Sequence, residues 1–343
     1  MSGLGYVTGL PRIGQLYKST PRIVFRESLW EYLAQGKIID GGNSRDPSNP
    51  SYPNVLQPGL LMGKITSSGL YGASVFGLST AALSSTGTTL TVAAAAAVEI
   101  NRRIGGSGTL TLTGPPVAAG VVRQLTATYS AVNTTSGAIT ITALGVNEVQ
   151  TLNFANSPAG TFTLTILDLN GVEQETAPIT YSSTAATLVT NIQNAINTVI
   201  GAGPLITVAG TAVTAITLTF NGTGYAALPQ ALVQVGSNEL TAGTVSVART
   251  TAGASGAFVS GSMVGPTDGS QNPLTLVPDG YGINVLDSDQ VTQLNQPFER
   301  FPIAGVILTA NVINYPSDAS LKAWLKQQLS TVSGGKFVFD DQY

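Results

Sequence analysis

Cysteine and histidine are both absent from the 343 residues. Without cysteine there are no disulfides, thiolate nucleophiles or thiolate metal sites, so stability has to come from packing and assembly. Histidine is the side chain whose unperturbed pKa lies nearest neutrality. Its absence removes the common Ser-His and Cys-His nucleophile pairs and the usual zinc and iron ligand sets. Charge is scarce too: 10% of residues are charged, against about 25% in ordinary soluble domains. Fifteen basic and eighteen acidic residues leave a net charge of −3, which gives no footprint for a phosphate backbone, and direct nucleic-acid binding is not expected. No run of 18 apolar residues occurs, so no helical membrane span is expected. Met1–Leu10 has neither the charged leader nor the apolar core of a secretory signal, and synthesis in a cytoplasm is expected.

What is present is apolar and hydroxyl-rich. Hydrophobic residues make up 43% of the chain, enough for real cores, and Thr, Ser, Ala, Gly and Val are in visible excess. β-Branched side chains suit a pleated surface, and Thr tolerates water on its outer face. The expected fold class is mainly β with a few short helices.

The first 53 residues differ from the rest. Six of the fifteen basic residues (Arg12, Lys18, Arg22, Arg26, Lys37, Arg45) fall there with the aromatics Tyr6, Tyr17, Phe25, Trp30 and Tyr32. Residues 25–35 space Phe25, Leu29, Tyr32 and Leu33 along one helical side before Gly36, which predicts a short helix. Residues 40–53 read as an irregular linker, because their three prolines cannot enter a ladder interior. The span 1–53 is therefore expected to be an arm and linker. Its Arg12, Tyr17, Arg22, Phe25, Trp30 and Tyr32 are the candidate contacts, since aromatics and Arg are enriched at interface anchors.

Beyond the arm, residues 90–104 predict a helix on propensity, with Arg102 and Arg103 near its C-terminus and Gly105 as the stop. Strands are expected over 109–113, 122–129 and 139–144, forming a small β segment over 105–145. Residues 146–250 read strand, strand, strand, helix, strand, strand, strand. In that helix Leu188, Ile192, Ile196 and Val199 form one apolar stripe, and 182–184 offer an N-cap. Near the C-terminus a helix is expected over 317–330, with Leu321, Trp324, Leu325 and Leu329 on one face.

Catalytic patterns are weak. Gly59-Leu-Leu-Met-Gly63-Lys64-Ile65 has three residues between its glycines and an isoleucine after the lysine, where a phosphate loop needs four and a Ser or Thr. Glycosidases need only two carboxylates, and Asp287/Asp289 and Asp340/Asp341 are the visible clusters. Charges beside an apolar terminal strand, however, also serve to discourage edge pairing. No catalytic, cofactor-binding or metal-binding residue is assigned, no cofactor is expected, and the chain is not read as an enzyme.

Residues 54–74 carry the most informative pattern: Gly59, Leu60, Leu61, Gly63, Lys64, Ile65, Thr66, Gly69 and Tyr71 form an apolar-apolar-x-Gly-Lys-Ile-Thr run closed by a glycine and a tyrosine. This run resembles the start of a phage head decoration (capsid cement) protein. Gly305-Val-Ile-Leu308 looks like the strand near the end of the same module, and residues 146–222 resemble a β-rich module inserted in phage structural proteins. The resemblance implies a small β-barrel or β-tulip-like body over 54–104 plus 255–343, split by an outward-facing β-sandwich-like α+β insert over 146–250. It implies a virion structural protein on the outer surface of the capsid, made in the host cytoplasm. Its partners would be the major capsid protein and its own copies in a homotrimer, without membrane or direct nucleic acid, and the insert would be free to touch a host surface. Two other readings stay open: a tail-fibre or adhesin-type protein binding host glycans, and a carboxylate-only glycan-degrading enzyme.

Overall fold

The computed structural model describes residues 23–33, 36–116, 121–156, 158–201, 205–280, 282–286, 292–298, 301–332 and 336–341. The protein is mainly β, with three α-helices among the described residues. The chain divides into two compact units. The first comprises residues 1–83, 87–142 and 258–343, and the second residues 84–86 and 143–257. The expected small segment 105–145 does not stand by itself, because its strands lie in the largest sheet of the first unit.

In that first unit a six-stranded sheet runs Gly77–Leu78, Met263–Gly265, Gly108–Gly114, Arg123–Val132, Ala138–Ile141, Thr89–Thr91. A five-stranded sheet runs Thr275–Leu276, Leu61–Lys64, Tyr71–Ala73, Lys37–Ile39, Gln296–Phe298. A three-stranded sheet places Phe301–Leu308 between Phe25–Leu33 and a parallel Lys336–Asp340. Helix α1 spans Ala94–Ile104 and ends at Gly105, whose φ of +88° is glycine territory. The four residues expected to begin that helix are not in it. Thr89–Thr91 pairs instead with Ala138–Thr140, where β-branched residues fit a ladder better than a first helical turn.

The helix expected over 25–35 is a strand. Phe25 pairs with Ile307, Trp30 with Gly305 and Tyr32 with Pro302, with register shifts between. A nine-residue segment gains little as an isolated helix, whereas the strand buries Phe25 in the core beside Ile307. Residues 23–53 thus belong to the body. The stretch 40–53 is not a solvated linker either: Ser44, Arg45, Asp46 and Asn49 are buried. Prolines deny the loop a ladder, so the Asp46 carboxylate takes its place. It accepts from the Ser48 amide (2.9 Å) and hydroxyl (2.6 Å) and from the Gln57 amide (2.8 Å), so these donors are met without a ladder.

Helix α3, Ala319–Gln327, begins at Asp318, whose carboxylate accepts from the Ser320 and Leu321 amides. Leu321, Leu325 and Leu329 are wholly buried in a core with Val24, Phe25, Leu61, Ile307 and Phe337, as the apolar stripe predicts.

The second unit pairs a four-stranded sheet, Ile206–Ala212, Ala215–Phe220, Glu148–Ala155, Thr244–Thr251, with strands organised around Ala159–Leu167. That central strand is flanked by Glu173–Glu175 and Ile179–Thr180 and by Gln234–Thr241. Helix α2, Ala185–Ile200, buries Leu188, Ile192 and Ile196 among Leu152, Phe162, Leu164, Ile216, Leu218 and Phe220. Thr184 is its N-cap by position, but no side chain caps it. Gln234–Thr241 escapes sequence reading because six of its eight residues are polar or Gly and most of it is exposed.

Candidate interaction surfaces

Of the expected arm contacts, Arg12, Tyr17 and Arg22 lie outside the described residues, as does the side chain of Trp30. Phe25 is fully buried and stacks on Phe337 with centroids 6.3 Å apart. The backbone amides of Val24 and Phe25 both donate to Asp279, which fixes the start of the strand. Phe25 is therefore a core residue. Tyr32 is half exposed.

The residues of the decoration-like run are brought together, and its glycines, Ile65 and Tyr71 have local structural tasks. Gly59 has φ +87°, and a Cβ there would stand 2.1 Å from the Asn311 carbonyl oxygen. At Gly63 a Cβ would stand 2.1 Å from the Ser270 carbonyl oxygen and 2.6 Å from that of Asn272. Only glycine permits such backbone contact. Gly69 makes the turn between Leu61–Lys64 and Tyr71–Ala73, its amide donating to the Ile65 carbonyl at 2.8 Å. Ile65 and Tyr71 are buried, and the Tyr71 ring meets Phe301 edge-on at 4.8 Å. Burial pushes the Tyr71 phenol up. The Lys64 side chain points to solvent, and Gly305 sits in the central strand between Trp30 and Phe337.

Buried charge is spent on fastening. Arg103, 1% exposed in its side chain, reaches from the end of α1 to Asp268 (2.6 Å), Ser270 Oγ (2.9 Å) and the Ala73 carbonyl (2.9 Å). Burial would raise the Asp268 carboxyl, but Arg103 and Ser270 outweigh it and hold the group below its ordinary range. In the second unit Glu148 is wholly buried. It accepts from Arg249 Nε (2.5 Å), Gln150 (3.2 Å) and the Gly253 amide (2.7 Å). Against the upward push of burial, these partners keep its carboxyl low. Reciprocal bonds between Val146 and Ala254, 2.9 and 2.8 Å, complete a clasp across the two ends of the unit.

The terminal carboxylates are also engaged, Asp340 with Arg26 (3.1 Å) and Asp341 with Lys326 (2.5 Å) and Tyr315 (3.1 Å). Asp287 and Asp289 lie outside the described residues.

Sequence reading did not single out a cleft of about 170 Å³ between the 40–53 loop and α1. The loop supplies Arg45, Pro47, Pro50 and Pro53. The helix supplies Ala95, Val98, Glu99 and Arg102, a spacing of three, four and seven that defines one helical face. Glu99 is held bidentately by Arg102, at 2.7 and 2.6 Å. Arg45 is 3% exposed; its Nη1 donates to the carbonyls of Gly41 (2.8 Å) and Ser44 (2.6 Å), while its buried Nη2 has no acceptor among the described residues. Burial, then repulsion from Arg102, lower the Arg45 pKa to about 10, with Glu99 opposing. A base whose folded pKa is lowered binds its proton less well in the native state, so Arg45 is charged at neutral pH at a cost to stability. The available signal was the Pro-x-x-Pro-x-x-Pro period that begins two residues after Arg45.

No family model matches the chain, and no curated protein matches it.

Proposed function

We propose that this chain is a virion structural protein that decorates and stabilises a phage capsid, binding as a trimer across adjacent capsomers of the major capsid protein. The observation that carries this reading is the division of labour in the chain. One β body is built around the glycine-dependent hairpin 59–73, and a second β unit interrupts it with its own ends clasped by Glu148 and by the Val146–Ala254 bridge. A closed insert adds bulk without adding a free edge to the body. In this reading the arm is shorter than the sequence suggested: residues 1–22, with Arg12, Tyr17 and Arg22, since Phe25 is part of the core. Three arms on one trimer would engage neighbouring subunits together, so that modest contacts become strong by effective concentration.

The insert supports a secondary role in touching a host surface. Its four-stranded sheet turns Thr207, Thr219, Val149 and Thr251 outward in one row and Ala209, Thr217, Thr151 and Ala248 in the next, a face rich in threonine hydroxyls.

Electron microscopy of particles made with and without the chain tests the reading. The expected result is trimeric density over the capsid lattice that disappears when residues 1–22 are deleted. Density at the tail, or a purified chain that stays monomeric and fails to sediment with empty heads, would overturn it.

A further inference from the structure

We propose that the cleft between the 40–53 loop and α1 is a docking site for a partner polypeptide that presents one bulky apolar side chain next to a carboxylate.

Size comes first. A volume of about 170 Å³ is close to the ~150 Å³ cavity that accommodates a benzene ring, so the cleft takes one large side chain and little else. Its apolar lining is unusually stiff: Pro47, Pro50 and Pro53 have fixed φ angles and lose little entropy on contact. Val98 is 52% exposed although it is a large apolar residue on the same helical face as the buried Glu99. Charge then selects the neighbour. Glu99 and Arg102 neutralise each other, and Arg102 Nη1 is further spent on the Gly42 carbonyl at 3.0 Å. Arg45 is left with one buried donor without an acceptor, and with a positive charge that Arg102 opposes more than Glu99 offsets. A buried donor of this kind costs free energy until an acceptor arrives, and a guanidinium prefers a carboxylate. The complement of the cleft is therefore an apolar side chain with an acidic one beside it. This inference is independent of the capsid reading, because a peptide can test it without any viral particle.

The test is a titration of the full, isotope-labelled chain with acetyl-Phe-Asp-amide, followed through the amide resonances of Arg45, Ala95, Val98 and Arg102. Acetyl-Phe-Asn-amide and acetyl-Gly-Asp-amide serve as comparison peptides. Saturable shifts confined to the cleft are expected with Phe-Asp, and binding weaker by roughly tenfold or more with either comparison peptide. Val98→Glu, at an exposed position, is expected to abolish the shifts while leaving the melting temperature nearly unchanged. Equal binding of Phe-Asp and Phe-Asn, no saturable shift with Phe-Asp, or undiminished binding by Val98→Glu would each overturn the proposal. Arg45→Lys gives a separate reading: it retains the charge but not the planar fork, and weaker binding by a variant that melts like the parent chain is expected. Full affinity in that variant would equally overturn the role given to Arg45.

Discussion

The two units reach stability by different routes. The second, apart from the short strands 173–175 and 179–180, has strands of six to nine residues in its two sheets, one helix and one core, with Leu188, Ile192 and Ile196 of α2 at its centre. The first, apart from its larger strands at 25–33, 108–114, 123–132 and 301–308, is assembled from ladders of two to five residues joined by packed loops. There, polar side chains do what long ladders do elsewhere: Asp46 closes the 46–57 loop, Asp279 caps the start of strand 25–33, and Arg103 ties α1 to 268–270. A regular unit can lose a surface residue and keep its register. A unit of short ladders depends on single close contacts.

Substitutions that hit one unit at a time sharpen this contrast, and the chain provides the means of reading them. Both tryptophans, Trp30 and Trp324, lie in the first unit, so tryptophan fluorescence follows that unit alone, while far-ultraviolet circular dichroism follows both. The largest effect is expected for Gly63→Val, whose Cβ would enter the space of two carbonyl oxygens. A loss above about 4 kcal/mol is expected, seen as unfolded-type tryptophan emission in mild urea. Native emission at the parent midpoint would show that the hairpin yields more easily than its packing implies.

Next is Ile192→Ala, which empties the fully buried centre of the α2 core. It should cost about 2–5 kcal/mol, with the loss in circular dichroism and the tryptophan transition unmoved. If the two signals shift together, the units unfold as one and the contrast fails. Glu148→Ala removes the clasp and strands the Gly253 amide. A loss of about 1–3 kcal/mol is expected, measurable as faster proteolysis at the ends of the 143–257 segment.

Acid provides a fourth test. Asp268 and Glu148 are both held below their ordinary values of 3.8 and 4.5. A depressed folded value means that the stabilisation is complete above the unfolded value and is lost as pH falls through the folded one. Stability should therefore decline below about pH 4. Asp268→Asn should flatten the decline in fluorescence, and Glu148→Gln the decline in circular dichroism. An unchanged slope in both variants would remove these ties from the account. The smallest effect is expected for Tyr32→Ser at its half-exposed position, within about 0.5 kcal/mol by urea titration.

Legibility follows the same divide. In the second unit the alternation in 148–154, 161–166 and 215–220 and the stripe of 188, 192 and 196 specify strands and helix locally, and the structure has them where the pattern puts them. The stripe of 321, 325 and 329 was equally readable. In the first unit the helical spacing of Phe25, Leu29, Tyr32 and Leu33 misleads, since the distant partner strand Phe301–Leu308 decides the outcome. The cleft was illegible for a related reason. Pro47, Pro50 and Pro53 read as loop residues, and only the approach of α1 makes them, with Arg45, a lined and charged hollow.

Composition by itself determined that the chain would be rich in β-structure and would lack thiol and imidazole chemistry, because those properties belong to residue types and need no partner. Residue order within the chain determined α2 and α3, whose apolar period is complete within a few turns. Tertiary structure alone decided the strand at 25–33, the burial of Ser44, Arg45 and Asp46, and the sharing of one sheet by 77–78, 108–114 and 263–265. The free energy of those features resides in contacts between residues far apart in the chain, which no local pattern encodes.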